Sequence, residues 1–346
     1  MRLLFFFSGD SMSENEVILD VRDLCVRFNT VEGTVQAVNN LNYTLHKGEI
    51  LGICGESGSG KSVSSLAVMH LIPDPPGRIT GGQILYKGKD LTKISDKEME
   101  KIRGNEISMI FQEPMTSLNP IIRCGAQIAE SLQLHDGMNK KDAMQAAIGL
   151  MKDVGIADPA VRAYEYPHQM SGGMRQRIMI AMALACKPQI LIADEPTTAL
   201  DVTIQAQILD LIRKLNKELG TSVLFITHDL GVVSELCQSV IVMYDGVVVE
   251  SASAQDIFSA PLHPYTRGLL AAIPRITKDR PPLETIEGTV PNPTEQIPGC
   301  SFWPRCKNAC EICKKKEPPE ISMPGDRRVK CWLYASEEQK GEPAGE

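Results

Sequence analysis

The stretch GESGSGKS at residues 55–62 has the residue types and spacing of a phosphate-binding loop. Phosphate oxygens need several backbone N–H groups at close range, which glycine permits. Lys61 is spaced to reach the β- and γ-phosphates of a nucleoside triphosphate, and the Ser62 hydroxyl to bind Mg²⁺. A Gly/Ser loop without a ligand is the alternative, but the apolar run before it and the helical pattern after it favour phosphate. The predicted ATP contacts are Gly55, Glu56, Ser57, Gly58, Ser59, Gly60, Lys61 and Ser62.

Two acidic residues follow a second apolar run, ILIADEP at 190–196. Ligands bind outside the carboxyl ends of strands in open α/β sheets, which is where such a run would deliver its carboxylates. Asp194 is suited to hold Mg²⁺, and Glu195 to orient and polarise an attacking water. The alternative is a strand that ends in solvated carboxylates. The phosphate loop upstream favours the catalytic interpretation.

A third motif, MSGGM at 170–174, places a serine and two glycines before a predicted helix. The exposed backbone donors of such a helix start can bind a phosphate. Because the loop at 55–62 already serves one triphosphate, we infer that Ser171, Gly172 and Gly173 serve the nucleotide of another subunit. A serine N-cap followed by a glycine turn is the alternative.

These motifs lie in a pattern of alternating strands and helices that extends from residue 17 to about 260. Short strands are predicted at 17–24 and 33–48, and buried strands around 50–54, 107–112, 190–196 and 222–229. Helical patterns cover 121–165 and 203–219, and 239–250 predicts a hairpin. The alternation predicts an α/β fold with a mostly parallel sheet and a helical insertion.

Charge and composition exclude several classes of protein. The 346-residue chain has a net charge of −7, so it has no overall attraction for nucleic acid or anionic lipid. No apolar run approaches the ~20 residues that span a bilayer. Residues 1–15 contain only the short run LLFFF, which predicts a disordered leader, with Met1 or Met12 as the start, rather than a signal peptide. Without secretion the compartment is reducing, where clustered cysteines indicate a metal rather than disulfides.

The order of GESGSGKS, FQEP, MSGGM, ILIADEP, TALD and ITHD resembles that of the ABC ATPases over residues 17–260. The resemblance implies a P-loop NTPase of ABC type, with an antiparallel β-subdomain and a helical subdomain at about 113–170 inside an ATPase domain at 16–262. It also implies roles for single residues, beginning with Gln112, which would contact Mg²⁺ and the attacking water and signal to the membrane partner.

The same resemblance implies that His228 contacts the γ-phosphate, that Asp201 lines the dimer seam, and that Ser171, Gly172 and Gly173 bind the γ-phosphate on the opposing subunit. Phe28 is the candidate for stacking on adenine, a role that Val35 could share. Met174 stands where glutamine is frequent, which we do not expect to remove activity. With every motif intact, we expect a complete hydrolytic half-site.

A narrower resemblance covers the whole chain. FQEPMTSLNP, HPYTRGLLAAIP and GCSFWPRC are similar to segments of the ATP-binding subunits of dipeptide, oligopeptide and nickel importers. This family implies a peripheral protein on the cytoplasmic face of the cell membrane, paired with a second homologous ATPase, two transmembrane permeases and, indirectly, an extracytoplasmic solute-binding protein. The solute does not follow from it. A soluble ABC ATPase that acts on nucleic acid or ribosomes is the alternative.

Eight prolines between 261 and 298 predict an irregular segment, and a cysteine-rich module at 300–331 follows it. We expect 263–335 to be a C-terminal extension and 336–346 a disordered tail. The family often carries Cys-x5-Cys-x6-Cys and a distant fourth cysteine, which Cys300, Cys306, Cys313 and Cys331 match. Four thiolates suit a [4Fe–4S] cluster or, alternatively, zinc, with Cys310 as an extra thiol or as part of a rival C-x-x-C pair. Since the segment is poor in apolar residues, we expect metal to hold it together.

Overall fold

The computed structural model describes residues 16–112, 117–198, 201–273, 285–292, 294–295 and 297–340. The predicted leader at 1–15 lies outside the described residues. So do 113–116, which begin the predicted helical subdomain, and 341–346, which end the predicted tail.

The strands form two sheets. They are β1 Val17–Thr30, β2 Gly33–His46, β3 Ile50–Cys54, β4 Gly77–Tyr86, β5 Lys89–Asp90, β6 Ile107–Ile110, β7 Ile190–Asp194, β8 Ser222–Ile226, β9 Ser239–Tyr244, β10 Val247–Ser253, β11 Glu320–Met323 and β12 Arg327–Lys330. Within the described residues, the larger sheet has the order β11-β12-β10-β9-β3-β8-β7-β6 and the smaller one β2-β1-β4-β5. The strands from β9 to β6 pair in parallel, as the alternating pattern predicted.

The helices are α1 Lys61–Val68, α2 Asp96–Ile102, α3 Cys124–His135, α4 Lys140–Asp153, α5 Pro159–Arg162, α6 Gly172–Leu184, α7 Val202–Leu219, α8 Leu230–Leu236, α9 Ala254–Ser259, α10 Pro264–Ala271 and α11 Glu337–Lys340. Three of them, α3 to α5, occupy the region predicted to be helical at 121–165. None of the described helices combines the length and the apolarity required to cross a bilayer.

The parallel strands are apolar throughout because both faces of the sheet are covered. Along β7, Ile190 and Ile192 belong to the core shared with the antiparallel sheet, whereas Leu191 and Ala193 belong to the core shared with the helices. Because β3, β7 and β8 run parallel, their carboxyl ends lie at one edge of the sheet, where the predicted site residues follow.

The antiparallel sheet is larger than the sequence indicated. β1 continues to Thr30 rather than ending near residue 24, because Arg27 and Phe28 pair with both β2 and β4. Irregular register between Val21 and Arg27 interrupts the apolar–polar alternation on which the shorter prediction was based.

The C-terminal extension is more regular than its prolines suggested. Pro264 occupies the first turn of α10, where its missing N–H costs no helical hydrogen bond. β12 pairs antiparallel with β10 through Glu250–Val329 and Ser251–Arg328, so the hairpin β11–β12 extends the main sheet. The short α11 lies in the segment predicted to be a disordered tail.

Candidate active site

The loop of residues 55–62 follows β3 and includes the first two residues of α1, and two of its glycines are required by the backbone. Gly55 has φ +150°, and a Cβ there would lie 2.1 Å from the Met243 carbonyl oxygen. Gly60 has φ +93°, and its Cβ would lie 2.3 Å from the carbonyl oxygen of Ala37. Any side chain at these positions would force the loop away from β2 and β9. Ser57 and Gly58 at the tip are exposed and accessible to a ligand.

Lys61 lies inside this loop and is only 5% exposed. Its ammonium donates to the carbonyl oxygens of Gly55 and Glu56, each at 2.8 Å, and to the Ser59 hydroxyl at 3.3 Å. Burial lowers the pKa of Lys61, and the nearby carboxylates, with Glu195 the strongest, partly oppose this shift. The loop therefore contains a desolvated cation that is suited to anionic oxygens.

Ser62 and Asp194 meet although 132 residues separate them. The Ser62 hydroxyl donates to Asp194 Oδ1 at 3.0 Å, at the junction of α1 and β7. Asp194 is 4% exposed, and burial raises the pKa of its carboxyl. The hydrogen bond from Ser62 lowers this pKa and the charge of Glu195 raises it, so that the pKa is raised overall. A hydroxyl and a carboxylate oxygen side by side suit Mg²⁺, which binds through one or two carboxylates together with substrate phosphates and water.

Glu195 is held by three side chains. Gln112 Nε2 donates to its Oε2 at 3.0 Å and the Thr198 hydroxyl to the same oxygen at 2.8 Å, while His228 Nδ1 lies 3.1 Å from Oε1. Burial raises the pKa of Glu195, but the hydrogen bonds from His228 and Thr198 outweigh it and lower the pKa overall. The carboxylate is therefore ionised and fixed in direction.

The backbone at Glu195 contributes to this arrangement. Its φ is +46°, a left-handed conformation that costs on the order of 1 kcal/mol for a residue other than glycine. Its N–H donates to the Ile226 carbonyl oxygen at 2.9 Å, which ties the turn after β7 to β8, the strand that leads to His228. The turn thus aims the carboxylate at the residues that follow both strands.

The predicted trans-acting residues lie at the start of α6. The Ser171 hydroxyl accepts from Met174 N at 3.3 Å, so the serine caps the helix, and Gly172 is exposed with nothing near a built Cβ. Gly173 faces Ile204, whose Cγ2 would lie 3.4 Å from its Cβ. Both of the proposed interpretations, cap and open binding surface, are compatible with this geometry.

Two further predicted site residues, Asp201 and Phe28, make contacts within their own subunit. Asp201 caps α7, because its Oδ1 accepts from Ile204 N at 3.0 Å, and its side chain lies at an exposed helix start. The Phe28 ring lies against Gly77, where a Cβ would be 2.5 Å from its Cε1. Val35 lies opposite Phe28 in the β1–β2 pair. The adenine-stacking role of Phe28 stays a prediction.

Sequence reasoning missed three residues that contact the site. Thr198 is the first residue of the quoted motif TALD, three positions after Glu195, so its proximity to Glu195 could have been inferred. Gln176 on α6 donates to the Pro196 carbonyl oxygen at 2.6 Å and so links the helix that begins at Ser171 to the turn after Glu195. Arg305, from the C-terminal extension, pairs with Glu56; no local pattern indicates this contact, because 249 residues separate the two.

The cysteines predicted to bind a metal line one small pocket: Cys300, Cys306, Cys313 and Cys331. Burial raises the pKa of Cys300 to about 12 and that of Cys331 to about 11. In the part of the chain that the structure describes, no group of three or more His, Cys, Asp or Glu residues could hold a metal ion. The prediction of an iron–sulfur cluster, or of zinc in its place, is therefore wrong.

The reason lies in how the C-terminal extension is stabilised. The prediction assumed that a segment without its own core needs a metal, but this segment uses the core of the ATPase domain. Phe302 is 3% exposed and packs against the rings of Tyr244 and Tyr265, and β12 joins the main sheet. These contacts replace the expected metal.

Comparison with known proteins agrees with this site. The model of the ABC transporter family matches residues 38–198, and that of the oligopeptide/dipeptide transporter C-terminal region matches 249–313. The dipeptide transport ATP-binding protein DppD of Bacillus subtilis is 50% identical over 95% of this chain and 97% of its own length. The oligopeptide transport ATP-binding protein OppD of Salmonella typhimurium is 49% identical over 90% and 93%, respectively.

Solved structures give the same fold. The dimeric structure of MJ0796, a bacterial ABC transporter cassette, has a TM-score of 0.62 and 29% identity, and the match covers 68% of this chain and 98% of that one. A second dimeric structure of MJ0796, in a post-hydrolysis state bound to ADP and Pi, matches equally well. The P-loop NTPase fold of ABC type is thereby confirmed, and the relatives do not support the alternative of an ATPase acting on nucleic acid or ribosomes. The chain belongs to the ABC transporter ATP-binding subunits of the dipeptide and oligopeptide importer family, and it is an ATPase that powers a membrane importer.

Proposed function

We propose that this subunit hydrolyses ATP at the edge of the sheet where β3, β7 and β8 end, and that hydrolysis drives the import of dipeptides or oligopeptides. The observation that carries the catalytic part is the fixed carboxylate of Glu195, bonded to Gln112, Thr198 and His228 beside the Ser62–Asp194 pair. The names of the relatives support the peptide part.

The loop of residues 55–62 binds the triphosphate. Its backbone N–H groups and the start of α1 supply donors for the phosphate oxygens, and Lys61 turns its ammonium from the loop carbonyls toward them. Ser62, Asp194 and Gln112 would hold Mg²⁺, which would neutralise charge on the phosphates. Phe28 stacks on the adenine.

Glu195 orients the attacking water and polarises it. Its lowered pKa keeps it ionised at neutral pH, so it accepts a hydrogen bond from the water in the ground state. His228 is 61% exposed in its side chain, and its second ring nitrogen, Nε2, remains available for the γ-phosphate while Nδ1 contacts Glu195. The catalytic gain comes from positioning and from charge neutralisation around the γ-phosphate.

The second half of each site comes from a homologous ATPase, in a heterodimer. Ser171, Gly172 and Gly173 bind the γ-phosphate held by that partner, and Asp201 lines the seam. The exposure of this helix start supports the assignment, because a phosphate from another subunit could approach it. The hydrogen bond from Gln176 to the Pro196 carbonyl oxygen provides a contact between the trans-acting helix and the turn after Glu195.

The remaining partners follow from the family. Two permeases carry the solute, an extracytoplasmic binding protein delivers it, and the present subunit lies peripherally on the cytoplasmic face of the membrane. Isolation of the tagged chain from native membranes in mild detergent, followed by mass spectrometry, tests this assembly. Recovery of two permeases and a second ATPase is expected; ribosomal or DNA-repair partners with no membrane protein would contradict it.

The catalytic assignment is tested with Glu195→Gln in the assembled transporter, in which the equivalent glutamate of the partner ATPase is already substituted so that one site turns over. We expect the rate of ATP hydrolysis to fall by about 10²–10⁴-fold, the range for loss of a positioned base. The control is Glu235→Gln, which changes a surface carboxylate on α8 that forms an ion pair with Arg213. Unchanged hydrolysis in Glu195→Gln would refute the assignment.

A further inference from the structure

The C-terminal extension contacts the phosphate loop directly through Arg305. Its guanidinium forms two hydrogen bonds with Glu56, Nη1 to Oε2 at 2.6 Å and Nη2 to Oε1 at 3.0 Å. The Arg305 side chain is 6% exposed, lies over the Tyr244 ring at 5.8 Å, and donates from Nε to the Glu287 carbonyl oxygen at 3.2 Å. A partly buried, forked pair of this kind has a fixed geometry and is stronger than a surface ion pair.

Glu56 is held by its backbone as well. Its N–H donates to the Tyr265 hydroxyl at 2.8 Å, and its carbonyl oxygen accepts from Lys61 at 2.8 Å. Tyr265 is fully buried and belongs to the same aromatic cluster as Tyr244. The conformation of the second residue of the loop therefore depends on α10 and on the segment around Arg305, both outside the region matched by the ABC transporter model.

The charge of Glu56 requires this arrangement. A carboxylate within a loop that receives a triphosphate repels the ligand unless a cation compensates it. Lys61 compensates the phosphates, and among the described residues Arg305 is the side chain that forms an ion pair with Glu56. Because the guanidinium stays protonated at every physiological pH, the compensation does not depend on pH.

We propose that Arg305 is a positioning residue for ATP binding: it neutralises Glu56 and holds the phosphate loop in its binding conformation, so that docking of the C-terminal extension sets the affinity of the site for ATP. This inference rests on the proposed ATP site at residues 55–62. It gives the extension a function at the nucleotide, in place of the metal that its cysteines had suggested.

The test compares Arg305→Met with Arg327→Met in the assembled transporter. Arg327 is also an arginine of the extension that lies near carboxylates of the ATPase domain, Glu250 and Asp256, but neither belongs to the loop. We expect Arg305→Met to raise the KM for ATP about tenfold with kcat changed less than about twofold, as for one uncompensated charge at a partly screened site. Arg327→Met should leave the KM unchanged. An equal rise in both variants would mean that general docking, and not this ion pair, sets the affinity, and would overturn the proposal.

A rescue experiment separates the charge from a structural role. Glu56→Gln added to Arg305→Met removes the uncompensated carboxylate, so the KM should fall back toward the wild-type value. If Arg305→Met fails to fold, Arg305→Lys takes its place. This variant keeps the charge but not the fork, so its KM should lie between those of the wild type and of an uncompensated site. A KM that stays at the wild-type value in both Arg305 variants, or no rescue by Glu56→Gln, would refute the proposal.

Failure of the ATP site itself gives a different result. ATP affinity measured in the Glu195→Gln background reports on binding without hydrolysis, so the effect of Arg305 remains visible even if the role of Glu195 is wrong. If a substitution of Lys61 leaves the ATP affinity unchanged, the proposed ATP site at residues 55–62, on which the inference rests, is refuted.

Discussion

Replacement of Phe302 by alanine should release the C-terminal extension from the ATPase domain. The ring is 3% exposed and lies 5.2 Å from Tyr244, 5.3 Å from Tyr265 and 5.7 Å from His263, measured between centroids. A buried Phe→Ala change costs about 3–5 kcal/mol, of which the lost aromatic pairs contribute about 0.5–1.5 kcal/mol each. Since the extension has little core of its own, we expect this energy to be lost from local docking rather than shared over the whole chain.

Hydrogen exchange of β12 measures the effect. The amides of this strand bond to β10 only while the extension is docked, so their exchange reports local opening. A loss of about 3–4 kcal/mol corresponds to exchange roughly 10²–10³-fold faster, at about 1.4 kcal/mol per factor of ten. Amides of β7, which is paired on both sides by the parallel strands β6 and β8, should change much less.

The controls are two other changes in the extension. Phe302→Leu keeps most of the apolar contact and should cost about 1–2 kcal/mol. Leu333→Ala removes a side chain of a residue that is 46% exposed and should cost less than about 1 kcal/mol. Exchange of β12 less than tenfold faster in Phe302→Ala would refute the claim that the aromatic cluster holds the extension. Equal acceleration in β7 would show that the extension and the ATPase domain unfold as one unit.

Two further predictions concern the loop and the pH. Gly60→Ala should abolish ATP binding, measured by titration with a fluorescent nucleotide, because its φ of +93° and the Ala37 carbonyl oxygen at 2.3 Å exclude a Cβ, whereas Gly149→Ala, on the open face of α4, should bind normally. Burial lowers the pKa of His263 to about 3, so the folded chain keeps this imidazole neutral while the unfolded chain protonates it near pH 6.5. The stability that this neutral imidazole contributes is complete above pH 6.5 and is lost as the pH falls toward 3, by on the order of 1 kcal/mol per pH unit. Urea unfolding at several pH values measures this loss, and the free energy of unfolding of His263→Gln should fall less steeply with decreasing pH. An equally steep fall in His263→Gln would contradict the argument.

The parts of the site that could be predicted from the sequence are those with local causes. The glycines at 55 and 60 are required by backbone conformation, and Asp194 and Glu195 follow a strand whose apolar run is visible in the sequence. Convergence of these residues follows from a general rule, because parallel strands end at one edge of the sheet. The Ser62–Asp194 and Gln112–Glu195 hydrogen bonds are consequences of that rule, although no local pattern gives their distances.

The length of β1 and the fold of the extension could not be predicted in the same way. Both depend on partners remote in sequence: β1 is extended by pairing with β4, and the extension is held by Tyr244, Tyr265 and β10. Proline content describes local propensity, which tertiary contacts override when a surface is available to dock on. The expectation of a metal was wrong for the same reason. It was based on the local lack of apolar residues, whereas the extension packs against the core of the ATPase domain.

The ion pair between Arg305 and Glu56 connects these two kinds of structure. Glu56 lies in a loop that its own motif defines, and Arg305 lies in a segment whose position depends wholly on the rest of the molecule. A loop with an acidic second residue therefore needs a cation that its motif does not supply, and the chain places that cation 249 residues away. A change that undocks the extension, such as Phe302→Ala, should consequently raise the KM for ATP although it touches no residue of the loop. If Phe302→Ala speeds amide exchange in β12 but leaves the KM for ATP unchanged, the loop keeps its conformation without the extension.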